Sequence, residues 1–302
     1  MSNDRGELLE ELRPVAFAIA YHMLGSVSEA EDVVQEALLR VHQALEAGDR
    51  IASLPAFTAT VTTRLAINEL RSARARREQY VGEWLPEPII TGGGDDPAQH
   101  AEIADSLTLA MLVLLESLSP EQRAALLLHD VFDYAYAEIA EIIGTSEVNV
   151  RQLATRARRH VEERRPRFET TREERAELAR RFFAAAQEGD VAGLEALLAA
   201  DVELTSDGGG KVRALAGPLR GRARVAGMLG SWQRYQAPGL SLRLVELNGD
   251  AGALYLDAQQ QLIAVVALEI AGGQIRAISS ITNPDKLTHL GPVGDISRSR
   301  TT

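Results

Sequence analysis

The chain has 302 residues, no cysteine and a formal net charge of −11. The lack of cysteine excludes disulfides, cysteine nucleophiles and thiolate zinc sites, and no apolar run approaches the roughly 20 residues of a membrane span. The N-terminus, MSNDRGELLEELRP, lacks the basic and apolar pattern of an export signal. The chain therefore reads as soluble and cytoplasmic, with a length that predicts two or three domains.

Residues 1–80 read as one all-helical block. Leu12 to Leu24 is apolar and ends at Gly25, and Ser28 is the expected cap of a second helix that ends at Gly48. Pro55 opens a third, FTATVTTRLAINELRSARARREQY. Between Arg64 and Arg77 it carries five arginines against one glutamate, a basic cluster in an acidic chain.

Residues 81–97 read as a linker. Its prolines and glycines exclude regular helix, and Trp84-Leu85-Pro86-Glu87-Pro88 is a stiff apolar peptide suited either to docking in a groove or to covering a neighbouring core.

Residues 98–167 are again helical. Ser119-Pro120-Glu121 marks a helix start, and Tyr136 to Ile143 forms a short apolar helix that ends at Gly144. Thr145 or Ser146 caps the next helix. There Val150, Leu153, Ala154, Ala157 and Val161 make one buried stripe, and Gln152, Thr155, Arg156 and Arg159 point away from it. This is a helix-turn-helix whose outer face suits the major groove. Asn149, Gln152, Thr155 and Arg156 are the expected base-edge contacts, and Arg151, Arg158 and Arg159 the phosphate contacts.

From about Thr171 the pattern changes. Two helices precede segments of period two, VELTSDGGG, KVRALAG, LSLRLVELNG, AGALYLDAQQQ, LIAVVALEIAGG and QIRAISSITNP, separated by turn pairs as in antiparallel hairpins. Residues 171–290 thus read as an α+β domain with a curved antiparallel sheet, and 291–302 as a flexible tail. Asp207-Gly208-Gly209-Gly210-Lys211 lacks P-loop spacing. It reads as a glycine-requiring turn near the mouth of the curved sheet and the linker, with Lys211 placed to pair with Glu87 or Asp285. Asn283-Pro284-Asp285 reads as a turn that ends the sheet.

Taken together, these residues resemble a bacterial sigma factor of the extracytoplasmic-function type. The segment AEDVVQEALLRVHQA resembles the domain-2 helix that docks on the β′ clamp helices of RNA polymerase, TRLAINELRSARARRE the helix that opens and reads the −10 element, and residues 118–161 the domain 4 that reads the −35 element. WLPEP, DGGGK and NPDKL (Asn283, Pro284, Asp285, Lys286, Leu287), in that order, are similar to the signatures of group 41 of these factors. In that group a SnoaL-like cone domain is fused at the C-terminus.

The resemblance implies two all-α sigma domains followed by an α+β SnoaL-like cone. It implies core polymerase (β′ clamp helices and β flap) and promoter DNA as partners. It also implies control by the fused domain in place of a separate anti-sigma factor, with no membrane partner. On the docking helix Asp32, Gln35, Glu36, Leu39 and Arg40 face outward for polymerase, and on the −10 helix Arg64, Asn68, Arg71, Arg74, Arg76 and Arg77 face DNA. Many relatives have Asp where this chain has Asn68, which keeps the hydrogen-bonding shape and loses the charge. The three signature strings become the interdomain regulatory residues.

Two other readings stay open at this point: a one-component regulator with a ligand-binding cone, and an enzyme with a DNA-binding appendage. For the second, Asp207, Asp257, Tyr255 and His289 form no recognisable constellation. The histidines (His22, His42, His100, His129, His160, His289) show no metal spacing. No cofactor, metal or catalysis is expected, and a small ligand in the cone is a candidate signal.

Overall fold

The computed structural model describes residues 2–77, 79–91, 107–162, 170–232 and 239–294. Its contacts divide the chain into two compact units. One comprises Met1–Glu78, Asp96–Leu107 and Met111–Arg165, the other Gln79–Asp95, Thr108–Ala110 and Pro166–Thr302. The two helical blocks therefore pack as a single unit, and the linker belongs to the C-terminal one.

The helical unit is built from α1 (Ser2–Leu24), α2 (Val27–Ala47), α3 (Leu54–Arg77), α4 (Leu109–Leu115), α5 (Pro120–Asp130), α6 (Tyr136–Ile143) and α7 (Glu147–Glu162). The cap of α2 is Ser26, not Ser28: Ser26 has extended backbone and its Oγ accepts from the Glu29 amide at 3.2 Å. Ser28 already lies in the first turn, where its own backbone is helical. Ala30, Val33, Val34, Ala37 and Val41 form the buried stripe of α2, and Gly48 ends it in the left-handed conformation. Ser119 and Gln122 form a reciprocal capping box at the start of α5, with Pro120 in its first turn.

The C-terminal unit contains α8 (Arg172–Glu188), α9 (Val191–Leu197), β1 (Leu198–Asp207), β2 (Leu219–Arg220), α10 (Arg222–Trp232), β3 (Ser241–Leu247), β4 (Asp250–Leu256), β5 (Leu262–Ala271) and β6 (Gln274–Ile281). The sheet order is β2-β1-β6-β5-β4-β3. It is mixed, because β1 and β6 pair in parallel, where hairpin signals alone had suggested an antiparallel sheet throughout. The expected strand KVRALAG is also absent, and on the edge of β1 away from β6 the two-residue β2, Leu219 and Arg220, does the pairing. The amides of Lys211 and Val212 instead donate to the Gly208 carbonyl, which folds this stretch into a turn.

Both faces of the sheet are covered. On one, Phe182, Leu194, Val225 and Leu229 from the helices pack on Leu204, Tyr255, Val266 and Ile278. On the other, Leu85 of the linker and Leu287 pack with Leu254, Val265, Ala267 and Ile281. Burial on both sides explains why β5 is an apolar run broken only by Glu269. Residues 291–294 are not a free tail: the Leu262 amide donates to the Pro292 carbonyl and the Gly294 amide to the Leu262 carbonyl. The rest of the expected tail, 295–302, lies outside the described residues. No described helix is long and apolar enough to cross a membrane.

Candidate DNA-reading faces and the linker hub

The helix-turn-helix is formed by α6 and α7. Gly144 adopts φ 74° and closes α6, and Ser146 Oγ accepts from the Asn149 amide at 3.3 Å. Val150, Ala154, Ala157 and Val161 are buried, while Asn149, Arg151, Gln152, Thr155, Arg156 and Arg159 are exposed on the opposite face. Arg158 differs from its neighbours. Its Nε donates to Asp130 Oδ2 at 2.8 Å, and its guanidinium meets the Tyr136 hydroxyl at 3.1 Å. Hydrogen bonding to Asp130 raises its pKa further and fixes it as a cation. Arg158 thus joins α5, α6 and α7, and Arg151, another expected phosphate contact, pairs with Glu147 and lies over the Tyr136 ring.

The basic face of α3 is similarly engaged within the helical unit. Arg64 is exposed, yet its Nε donates to the Ile142 carbonyl at 2.8 Å and its Nη2 to the Glu141 carbonyl at 2.9 Å. These are carbonyls of the last turn of α6, where a cation is favoured by unpaired acceptors and the helix dipole. Arg71 Nη2 lies 2.6 Å from Glu121 Oε1 on α5. Burial, the largest single influence, pushes the Glu121 carboxyl up, but the hydrogen bond and charge of Arg71 together with the hydrogen bonds of the helix start outweigh it and the net shift is downward. Arg77 pairs with Glu116 and donates to the Leu24 carbonyl at 2.8 Å. Asn68 is exposed on the same helix. The side chains of Arg74 and Arg76 lie outside the described residues.

A buried residue that sequence reasoning missed, Arg123, reinforces this packing. Its Nη1 donates to the Met23 carbonyl at 2.7 Å and lies 2.8 Å from Glu116 Oε1, and its Nη2 donates to the Leu112 carbonyl at 3.1 Å. Nothing local in the sequence distinguishes it from a surface arginine.

On α2 the outward positions are Asp32, Gln35, Leu39 and Arg40, with Glu36 half-buried and 2.7 Å from Arg40. Leu39 is 49% exposed, an apolar group amid polar neighbours as at a partner surface.

The three signature strings meet in the C-terminal unit. Asp207, at the end of β1, is fully buried and its carboxylate is the centre of the cluster. Oδ1 accepts from the Tyr80 hydroxyl at 2.6 Å and the Gly209 amide at 3.0 Å. Oδ2 accepts from the Leu85 amide at 2.9 Å and Lys286 Nζ at 2.7 Å. Lys286 also donates to the Leu85 carbonyl, and its ammonium sits 4.1 Å from the centre of the Trp84 ring. Asn283 Nδ2 reaches the Tyr80 hydroxyl at 2.9 Å. Burial, with the Asp207 hydrogen bond second, pushes the Tyr80 phenol above its usual range, so it remains a donor.

The glycines of this loop have separate reasons. Gly209 and Gly210 adopt positive φ, and a Cβ on Gly208 would lie 2.1 Å from the Val212 carbonyl oxygen. Lys211 pairs with Asp285 at 2.6 Å on the surface. The central cation is instead Lys286. The loop and linker meet on the sheet face opposite the helices rather than at the cone mouth, because Asp207 follows Ser206 and so points to the other side.

Further along, the linker extends the sheet edge. The Ile89 amide donates to Asn248 Oδ1 at 3.0 Å, the Asn248 amide to the Ile89 carbonyl at 2.9 Å, and the Thr91 amide to the Glu246 carbonyl at 2.9 Å. His289 Nε2 lies 2.8 Å from the Pro88 carbonyl oxygen. Tyr80, Thr91, Asn248 and His289 had not been assigned to this site. Of their contacts only the Asn248-Gly249 turn had a local signal.

A helix-turn-helix and an arginine-rich helix on one helical unit define a sigma-70 type promoter reader. The family model Sigma-70 region 2 matches residues 8–76, and Sigma-70, region 4 matches residues 108–161. The chain is 39% identical to the ECF RNA polymerase sigma factor SigJ of Mycobacterium tuberculosis, over 92% of each chain. It is 32% identical to the probable ECF sigma factor SigI of the same species, over 90% of this chain and 91% of that one. The crystal structure of Mycobacterium tuberculosis SigJ superposes with a TM-score of 0.77 at 35% identity, covering 93% of this chain and 98% of that one. The chain belongs to the extracytoplasmic-function RNA polymerase sigma factors, and its C-terminal unit is an α+β domain with a six-stranded sheet. A one-component regulator is not favoured, since both sigma regions are present.

Proposed function

We infer that this sigma factor directs core RNA polymerase to its promoters in the cytoplasm and is restrained in cis by its C-terminal unit. Asp32, Gln35, Glu36, Leu39 and Arg40 dock on the β′ clamp helices, and region 4 meets the β flap. Arg64, Asn68, Arg71, Arg74 and Arg77 act at the −10 element. The outer face of α7, from Asn149 to Arg159, acts at the −35 element.

One observation carries the regulatory part: Arg64 and Arg71, on the −10 face, are bound to α6 and α5 of region 4. Promoter engagement then requires the two regions to part. The linker between them, residues 79–91, is held by the Asp207 hub. Opening releases Arg64 and Arg71 to phosphates, where cation contacts supply much of the affinity. Such control in cis makes a separate anti-sigma protein unnecessary.

The test is run-off transcription with purified core polymerase on the promoter of the factor's own operon, using the full chain and a chain ending at Arg165. Core-dependent transcripts from either form are expected, with different yields. No transcript from either form would overturn the promoter-reading role, and equal yields would overturn the control by the C-terminal unit.

A further inference from the structure

The first turn of α7 exposes an apolar side chain that the fold does not use. Val148 is 67% exposed, more than any other large apolar residue among the described residues of the helical unit. Val150 and Ala154 pack in the core around the helix-turn-helix, whereas Val148 lies outside it. Valine is a poor choice for a helix position that only faces water, because its β-branched side chain is stiff there and lowers helix propensity.

Two residues along an α-helix turn through about 200°. The row opposite a buried row is therefore the same row displaced by two. The buried row of α7 is Val150, Ala154, Ala157 and Val161. Displaced by two it becomes Val148, Gln152, Thr155 and Arg159, and all four are exposed. Val148 thus stands on the row that faces most directly away from the core, at its N-terminal end. In a helix-turn-helix that end of the recognition helix reaches the base edges.

The groups around Val148 are held by contacts of their own. Glu147, whose carboxylate would repel phosphates, is paired with Arg151. Asn149 Nδ2 donates to Thr145 Oγ1 at 2.9 Å, and the Thr155 hydroxyl donates to the Arg151 carbonyl at 2.7 Å. What Val148 itself offers a base pair is two methyl groups. The major-groove edges of the bases are polar apart from the C5 methyl of thymine. Against a polar edge an apolar side chain displaces water and returns no hydrogen bond. Against the thymine methyl it removes apolar surface from water.

We propose that Val148 is a specificity-determining residue of region 4, which selects a thymine in the −35 element through its C5 methyl group. The inference rests on α7 being the −35 reader. Val148 and Gln152 are four residues apart, about 6 Å along the helix axis. The thymine therefore lies within about two base pairs of the pair that Gln152 meets.

The test uses polymerase reconstituted from core enzyme and the full-length chain, on the promoter of the factor's own operon. Each thymine of the −35 region, on either strand, is replaced in turn by deoxyuridine, which pairs in the same way and lacks only the methyl. Binding measured by competition should fall about fourfold at one of these thymines, the worth of one buried methyl contact. Val148→Ala leaves the core untouched, and its polymerase should bind the thymine and deoxyuridine promoters equally well. A merely structural role for Val148 would not produce that loss of discrimination. If no thymine responds, or if the Val148→Ala polymerase still distinguishes the two bases at the responding position, the assignment is overturned. If wild-type polymerase does not prefer the unmodified promoter to unrelated DNA, the promoter-reading role itself fails, and the inference with it.

Discussion

Lys286 Nζ lies 2.7 Å from Asp207 Oδ2, with the side chains 7% and 0% exposed. Two charges so placed must satisfy each other, since neither reaches water. Removing one leaves the other uncompensated, which costs about 3–5 kcal/mol. Lys286→Met should therefore destabilise the C-terminal unit by about that amount. It also removes the cation above Trp84. In a Trp232→Phe background, where Trp84 is the remaining tryptophan, its emission should shift to the red and become more accessible to iodide. Unchanged quenching would mean the hub does not hold the linker.

The contacts of Arg64 and Arg71 make the opening of the helical unit measurable. Glu121→Lys turns the 2.6 Å attraction to Arg71 into a repulsion, worth about 1 kcal/mol at this exposed site. The chain has no cysteine, so single cysteines at Asn68 and Gln152 can carry spin labels without interference. Pulsed electron resonance should show a longer-distance population in the Glu121→Lys protein that grows at low salt. An identical distribution in both would place the resistance to opening elsewhere, in Arg123 above all.

Acid should weaken the helical unit through His22. Burial, and secondarily the charge of Arg123, lowers its pKa to about 4 from 6.5. A depressed folded-state value stabilises the fold above the unfolded pKa and loses that contribution as pH falls through the folded one. The loss therefore runs from about pH 6.5 to 4 and amounts to about 3 kcal/mol. His22→Phe should flatten this part of the stability–pH profile by thermal unfolding. A wild-type profile already flat between pH 7 and 4 would count against it.

The opposite sign applies at Asp250. Burial is the main cause, opposed by Arg175 and reinforced by Glu269 and Glu246, and the carboxyl rises to about 6 from 3.8. A raised folded-state value means stability is full below the unfolded pKa and is lost as pH climbs through the folded one. Asp250→Asn should thus stabilise the C-terminal unit by about 3 kcal/mol at pH 8 and by almost nothing at about pH 2. Equal effects at both pH values would show that the change acts through packing instead.

What could be read directly from the sequence was local. The stripe Val150, Ala154, Ala157 and Val161 and the left-handed Gly144 follow from helical period and backbone sterics, and both are as expected. Ser26 and Ser28 are equally good caps two residues apart, and only backbone geometry separates them. KVRALAG has strand-like alternation, yet the preceding glycine turn takes its first two amides, those of Lys211 and Val212. The hub lay furthest out of reach. Tyr80, Leu85, Asp207 and Lys286 come from segments up to 206 residues apart, as the numbering shows, and no spacing rule links them. The motif strings contain Leu85, Asp207 and Lys286, but the ion pair they suggested was that of the exposed Lys211, whereas the buried pair is Lys286 with Asp207. The roles of Arg64 and Arg71 were likewise legible as basic and outward, whereas their attachment to α6 and α5 depends on tertiary packing.

The parallel pairing of β1 with β6 has a temporal consequence. Asp207 has no strand partner for its closing contacts until residues 274–287 have been made. The promoter-reading helices, complete by residue 162, leave the ribosome more than a hundred residues earlier. At bacterial rates of chain growth that interval is on the order of ten seconds. Under the restraint proposed above, each new molecule would pass through a brief unrestrained youth, in which it could meet polymerase before its C-terminal unit is made.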